Sequence, residues 1–184
     1  MSRAPMRLFG LAGSLRRESY SMAILRGLQA RLGPDRSLAI GDIGMPLYNE
    51  DEEEDCHAAV TALRREIAAS DGLVLATPEY NHGVPGPLKN ALDWASRPYG
   101  ASSLTGKPVL VISCSPAFTG GVRAHAQLNE TLLSAHAMPV PGPQAVIGGV
   151  AGKIDQGRLV ERASLDFLVE GIERMAAMRH PAAA

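Results

Sequence analysis

Only two cysteines, Cys56 and Cys114, occur in the 184 residues, and they are too few and too far apart for a disulfide framework or a zinc site. The five histidines show no metal-ligand spacing, so no metal is expected. Such sparing cysteine use fits a reducing compartment, and a cytoplasmic location is expected. An excess of charge is lacking as well. With a formal net charge of -1, neither nucleic acid nor an anionic membrane is the expected partner, and a small molecule is. No apolar run approaches the ~20 residues that span a bilayer. The opening MSRAPMRLFGLAGSLRR puts basic residues before an apolar run. However, Leu8 to Gly13 is shorter than a signal-peptide core and is followed at once by Arg16, Arg17 and Glu18. It reads as the first buried strand of a soluble protein. Neither G-x-G-x-x-G nor a Walker lysine is present, which removes support from the common dinucleotide and P-loop readings.

What is present is a regular alternation. MRLFGLAG (6–13), GLVLATP (72–78) and KPVLVISCS (107–115) are continuous apolar runs of the kind found in strands buried on both faces of a parallel sheet. SLAIGDI (37–43) and PVPGPQAVIG (139–148) are weaker candidates, the second made irregular by its prolines. Helical spacing runs over 20–32, 56–70, 87–96, 122–136 and from 157 to about 179, the last with an apolar stripe that includes Leu159, Val160, Leu165, Leu168, Ile172 and Met175. Strands alternating with helices predict an α/β fold with right-handed crossovers. The expected form is a flavodoxin-like three-layer sandwich, its five-stranded parallel sheet in the order 2-1-3-4-5 with helices on both faces. A chain of this length can bury roughly 70% of its unfolded surface. With no repeat and no linker, one domain over 1–184 is expected, with a flexible tail from about 180.

In such a sheet ligands sit beyond the C-terminal strand ends, where the strand order reverses. The loop after the first strand runs through Gly13, Ser14, Arg16, Ser19 and Ser21 into a helix. Helix N-terminal N–H groups suit a phosphate, the serines add hydroxyls, and Arg16 adds a charge-assisted contact. A plain N-cap at Ser19 or Ser21 explains the same residues. The loop after the third strand, TPEYNHGVPGPLKNALDWASRP (77–98), is stiffened by Pro78, Pro85 and Pro87 and can turn tightly at Gly83 and Gly86. It presents backbone groups of Glu79, Tyr80, Asn81 and His82 to a flat heteroaromatic ring, the alternative being a proline-rich surface turn. Within it Trp94 reads as core, and Asp93 with Arg97 as an i,i+4 pair. The loop after the fourth strand, SCSPAFTGGVRAHAQ (113–127), has Gly120 and Gly121 before a helix, where backbone can approach a ligand closely or simply enter the helix. Cys114 does not sit in the Cys-x5-Arg loop of small tyrosine phosphatases, so phosphate-ester chemistry is not expected.

GSLRRESYS (13–21), PLYNEDEE (46–53) and above all TPEYNHGVPGPLKNALDWASRP resemble the NADPH-dependent FMN reductase family, which includes flavodoxin-like quinone and chromate reductases. The resemblance covers about residues 6 to 175. It implies bound FMN, with the phosphate at Ser14, Arg16, Ser19, Tyr20 and Ser21; many family members carry Asn where this chain has Ser21. Pro78, Glu79, Tyr80 and Asn81 would edge the isoalloxazine ring, and Ser113, Ser115, Gly120 and Gly121 would close the site. It further implies hydride transfer from NADPH or NADH to the flavin and ping-pong reduction of quinones, azo dyes, chromate or free flavin. A homodimer or homotetramer is implied as well. The chemistry is the cofactor's, so no catalytic side chain is required. His82 is a candidate proton donor, although a lone His in a motif loop is more often a spacer. NEDEEED (49–55) reads as a solvated loop ahead of the second helix, and His125 and His136 as ordinary helix residues. A different class, an FMN-binding electron carrier or regulatory module with little NAD(P)H activity, would need a partner-protein surface around the flavin.

Overall fold

The structure, a computed structural model, describes residues 5–178. In chain order its elements are β1 (Met6–Ala12), α1 (Tyr20–Arg31), β2 (Arg36–Gly41), α2 (Ala58–Ala69), β3 (Gly72–Pro78), α3 (Gly86–Ala95), β4 (Pro108–Cys114) and α4 (Val122–Ser134). Then come β5 (Met138–Pro139), β6 (Ala145–Ile147), β7 (Ile154–Asp155), β8 (Arg158–Leu159) and α5 (Arg162–Met178). The main sheet is parallel throughout, in the order β2-β1-β3-β4-β5, with β6 also on β4. That is the expected flavodoxin-like order.

The central strands are continuously apolar because successive residues feed two different cores. Leu8, Val74, Ala76, Leu110 and Ile112 pack with Ile24, Leu25 and Leu28 of α1 and Leu168, Ile172 and Met175 of α5. Phe9, Leu11, Leu73, Leu75, Val109 and Val111 pack on the other face with Leu63 and Ile67 of α2, Leu88 and Leu92 of α3, and Leu128 and Leu132 of α4. Alternation of side chains across a strand that is covered on both sides sends apolar residues to both faces, with polar Thr77 and Ser113 near the C-terminal ends of β3 and β4. Among the described residues no helix is long and apolar enough to cross a membrane.

The fifth strand is not one segment. Val140 N–H donates to Val109 O at 2.9 Å and Ser115 N–H to Ile147 O at 3.1 Å, but between them Val111 has no partner in β5 or β6. Pro141 and Pro143 fall in this gap, and a proline cannot donate to a ladder. His125, buried on α4, fills the opening: it hydrogen-bonds the Val111 backbone, and Asn129 Nδ2 lies 3.0 Å from its Nδ1. Burial therefore holds His125 below its ordinary 6.5, neutral in the folded protein. Above 6.5 both folded and unfolded chains are neutral at this site. As pH falls below that value the unfolded chain takes the proton first, so stability is lost down to the folded-state value. Urea midpoints are expected to drop below pH 6.5, with a shallower drop in His125→Gln; equal slopes for the two proteins would remove His125 from the acid response.

The final helix begins at Arg162, five residues later than the sequence spacing predicts, and Arg179 lies outside the described residues, as does the predicted tail. Gly157 to Leu159 belong instead to the antiparallel β7–β8 hairpin. Its two turn residues, Gln156 (φ 45°) and Gly157 (φ 71°), are both left-handed, as tight two-residue hairpins require. The hairpin lies flat on α1, because a Cβ at Gly27 would stand only 2.5 Å from Leu159 O. His136 is likewise not a helix residue: it follows the end of α4 at φ 59° and accepts from Gly106 N–H at 2.8 Å.

Candidate cofactor site at the strand ends

The loop after β1 opens with Gly13 N–H donating to Ala76 O at 2.7 Å, which ties it to β3. Ser19 is the N-cap of α1; its Oγ accepts from Met22 N–H at 3.3 Å and lies 2.7 Å from Ser21 Oγ. The N–H groups of Tyr20 and Ser21 find no acceptor among the described residues, as first-turn donors do not within a helix. Arg16 carries its guanidinium over the Tyr20 ring, 4.9 Å from the centroid. Ser14 Oγ accepts from Arg16 N–H at 3.2 Å and is 3.3 Å from the Tyr80 hydroxyl, joining this loop to the next.

After β3 the chain makes a tight hairpin. Tyr80 and Gly83 exchange backbone hydrogen bonds of 3.1 and 3.0 Å around Asn81 (φ 50°) and His82 (φ 66°). A left-handed His where such turns favour Gly costs about 1 to 2 kcal/mol, so the geometry is held by its surroundings. Those surroundings centre on Glu79. Its Oε2 accepts from Arg123 N–H at 2.9 Å and Ala124 N–H at 3.0 Å, the second and third residues of α4. Gly121 at the N-cap has no side chain to do this, so Glu79 caps the helix from another loop. The Ala124 N–H above all holds the Glu79 carboxyl below its ordinary 4.5, with His82 Nδ1, 3.4 Å from Oε1, assisting. Glu79→Ala is expected to cost about 1 to 2 kcal/mol in urea unfolding, and Glu79→Gln, which keeps one acceptor, less. The loss in Glu79→Gln relative to the parent should shrink as the pH falls from 4.5 through the lower folded-state value, because the native carboxyl is then protonated as well.

These loops converge on a cleft of about 260 Å³. Ser14, Arg16, Ser19, Tyr20, Pro78, Glu79, Tyr80 and Ser115 line it, together with Cys114 and Pro116, which sequence reasoning did not include. Five expected residues stand back from it. Ser21 is buried behind Ser19, and Asn81 is at the exposed hairpin tip with His82. Ser113 is buried beneath Gly121, whose Cβ would be 3.4 Å from its own, and its hydroxyl finds no partner among the described residues. Gly120 (φ 63°) and Gly121 (φ 81°) form the left-handed entry to α4. A Cβ on Gly120 would reach 2.5 Å from Val146, so this entry admits only glycine. Burial pushes the Cys114 thiol up to about 12, which makes it inert as a nucleophile although it lies on the cleft wall.

The loop after β2 is braced on α3, the helix that follows the ring-edge loop. Trp94 Nε1 and Asn90 Nδ2 both donate to Pro46 O, at 2.9 and 2.8 Å, and Tyr48 N–H donates to Asn90 Oδ1 at 2.7 Å. Tyr48 packs edge-on to Trp94 and its hydroxyl donates to Glu53. The expected Asp93–Arg97 pair does not form: Lys89 takes Asp93 at 2.7 Å, and Arg97 Nε reaches Glu53 at 3.0 Å and the Tyr48 hydroxyl at 2.9 Å. The acidic run is therefore only partly solvated, with Glu53 paired to Arg97 just past the end of α3. His57, one residue before α2, caps it through Nδ1.

The cleft suits FMN on its own chemistry. Unpaired first-turn N–H groups, two serine hydroxyls and a guanidinium with no ion pair among the described residues make a phosphate cradle, and the only carboxylate on the wall is turned to α4. Residues 6–152 match the NADPH-dependent FMN reductase family. A quinone reductase of Pseudomonas putida is 39% identical over 168 residues, 90% of each chain. An NAD(P)H-dependent FMN reductase of Pseudomonas aeruginosa is 36% identical over 173 residues, 92% of this chain and 93% of the other. The solved FerB flavoenzyme NAD(P)H:(acceptor) oxidoreductase of Paracoccus denitrificans superposes with a TM-score of 0.85 at 32% identity, over 95% of this chain and 97% of that one. With the strand order, the cradle and these likenesses in agreement, the chain belongs to the NADPH-dependent FMN reductase family, oxidoreductases that use FMN and NAD(P)H.

Proposed function

We propose that this chain is one FMN-binding domain that reduces quinones or similar acceptors at the expense of NAD(P)H. The observation that carries the reading is the meeting of Ser14, Arg16, Ser19 and Tyr20 with the Pro78–Tyr80 backbone in one cleft. Ser14, Arg16, Ser19 and the first-turn N–H groups hold the phosphate, and Ser21 acts behind them by fixing Ser19 Oγ at 2.7 Å. Pro78, Glu79, Tyr80 and Asn81 edge the ring with backbone groups. Ser115, Gly120 and Gly121 shape the opposite wall over Ser113. Bound FMN supplies the capacity to accept a hydride from NAD(P)H and pass electrons to the acceptor.

The protein's part is orientation and exclusion. Glu79 ties the ring-edge hairpin to α4, so the two walls keep a fixed spacing. His82 lies at the hairpin tip with an exposed side chain, so any proton it gives reaches a product at the rim rather than within the cleft. Two-substrate kinetics test the reading: quinone-dependent oxidation of NAD(P)H with parallel double-reciprocal lines is expected, because one cleft serves both substrates in turn. Intersecting lines, or no oxidation, would contradict it.

A homodimer or homotetramer is part of the proposal. Exposed Tyr99 after α3, Leu133 in the last turn of α4 and Met138 at the start of β5 supply apolar surface for it. Sedimentation at the mass of a dimer or tetramer is expected, and a monomer at assay concentration would refute it. A cytoplasmic location is supported by both cysteines being unpaired.

A further inference from the structure

On the far side of the first loop lies a second pocket, of about 300 Å³, which shares Arg16, Ser19 and Tyr20 with the cleft. Arg17 and Arg26 stand on its other walls, and Ala23 and Ile154 give it apolar surface. The β7–β8 hairpin closes it, with Arg26 Nη1 3.8 Å from where a Cβ on Gly157 would be. Arg16, Arg17 and Arg26 form no ion pair among the described residues. Glu18 is the one carboxylate on the lining, so two positive charges remain uncompensated there. Three arginines on one lining concentrate positive charge that an anion would relieve, and planar guanidinium forks match phosphate oxygens. An aromatic ring and two aliphatic side chains beside them suit a nucleoside carrying that phosphate, and the volume falls at the lower end of small-ligand sites.

We propose that this pocket takes the 2′-phosphate and ribose of NADPH, and that Arg17 and Arg26 make the protein prefer NADPH over NADH. The inference rests on the proposed FMN reading, because the nicotinamide end must reach the neighbouring cleft. The two nicotinamides differ only in this phosphomonoester, and the pocket offers its charge next to the site where the other end works. Arg16 stands between, with the flavin phosphate on one side and the nucleotide phosphate on the other.

The test uses the FMN-loaded protein and the variant Arg17→Ala/Arg26→Ala. By calorimetry, adenosine 2′,5′-bisphosphate is expected to bind the parent at least about 10-fold more tightly than 5′-AMP, and to lose that advantage in the variant. Inorganic phosphate is expected to bind far more weakly than the bisphosphate; equal binding would mean a site for free anions and overturn the assignment. In turnover, kcat/KM for NADPH is expected to fall about 10- to 100-fold through KM, with the NADH value and the FMN dissociation constant unchanged. Parallel loss with both nicotinamides, or no loss with either, overturns it. A parent protein that reduces no quinone with either nicotinamide would sink the proposed function instead, and the calorimetric comparison would still decide the pocket.

Discussion

Arg16→Ala is expected to weaken FMN binding about 10- to 100-fold while leaving the fold intact. The guanidinium is exposed, rests on the Tyr20 ring at 4.9 Å, and has no carboxylate partner among the described residues, so its removal breaks no structural ion pair. What it loses is a charge-assisted hydrogen bond to the cofactor phosphate, worth roughly 1.5–3 kcal/mol, and 1.4 kcal/mol is a factor of ten. Arg16→Lys should fall between, because an ammonium keeps the charge and loses the fork. Flavin fluorescence on titration of the apoprotein reads all three. An unchanged dissociation constant in Arg16→Ala would place the phosphate elsewhere.

Trp94→Ala is expected to cost about 3 to 5 kcal/mol of stability, a large share of the roughly 5 to 15 kcal/mol that holds a domain folded. Trp94 is fully buried, and it is the hub of the brace between the 46–53 segment and α3. Its indole donates to Pro46 O at 2.9 Å, its ring meets Tyr48 at 5.0 Å between centroids, and its carbonyl accepts from Arg64 Nε at 3.0 Å. Truncation leaves a cavity and removes one of the two donors to Pro46 O together with the ring that Tyr48 packs on. Trp94→Phe should cost less, about 1 to 2 kcal/mol, because Asn90 still donates to Pro46 O at 2.8 Å. Urea unfolding followed by far-UV circular dichroism separates the two; equal, small losses would show that the brace contributes little.

The sheet was readable in advance because β1, β3 and β4 feed cores on both faces and so carry unbroken apolar runs. The spacing predicts too long a last helix because Leu159 and Val160 continue its apolar stripe, yet Leu159 belongs to the hairpin that packs on Gly27, and only the turn at Gln156 and Gly157 signals the break. The loops of the site were legible through their serines, glycines and prolines, since those residues govern local backbone shape. Glu79's task was not legible, because the donors it satisfies lie 44 and 45 residues downstream. The Asp93–Arg97 misreading has the same origin: local spacing offered two partners for Asp93, and a carboxylate 44 positions upstream drew Arg97 away. Ser21 and Ser113 kept their places in the sequence motifs while turning inward, which spacing alone does not reveal.

The most direct test of the central claim is an anaerobic absorbance titration of the FMN-loaded protein with NADPH, and separately with NADH, followed by quinone. Bleaching of the flavin band by the nicotinamide and its return on adding quinone is the expected result. A flavin band that neither nicotinamide bleaches would contradict the oxidoreductase account and leave a binding protein in its place.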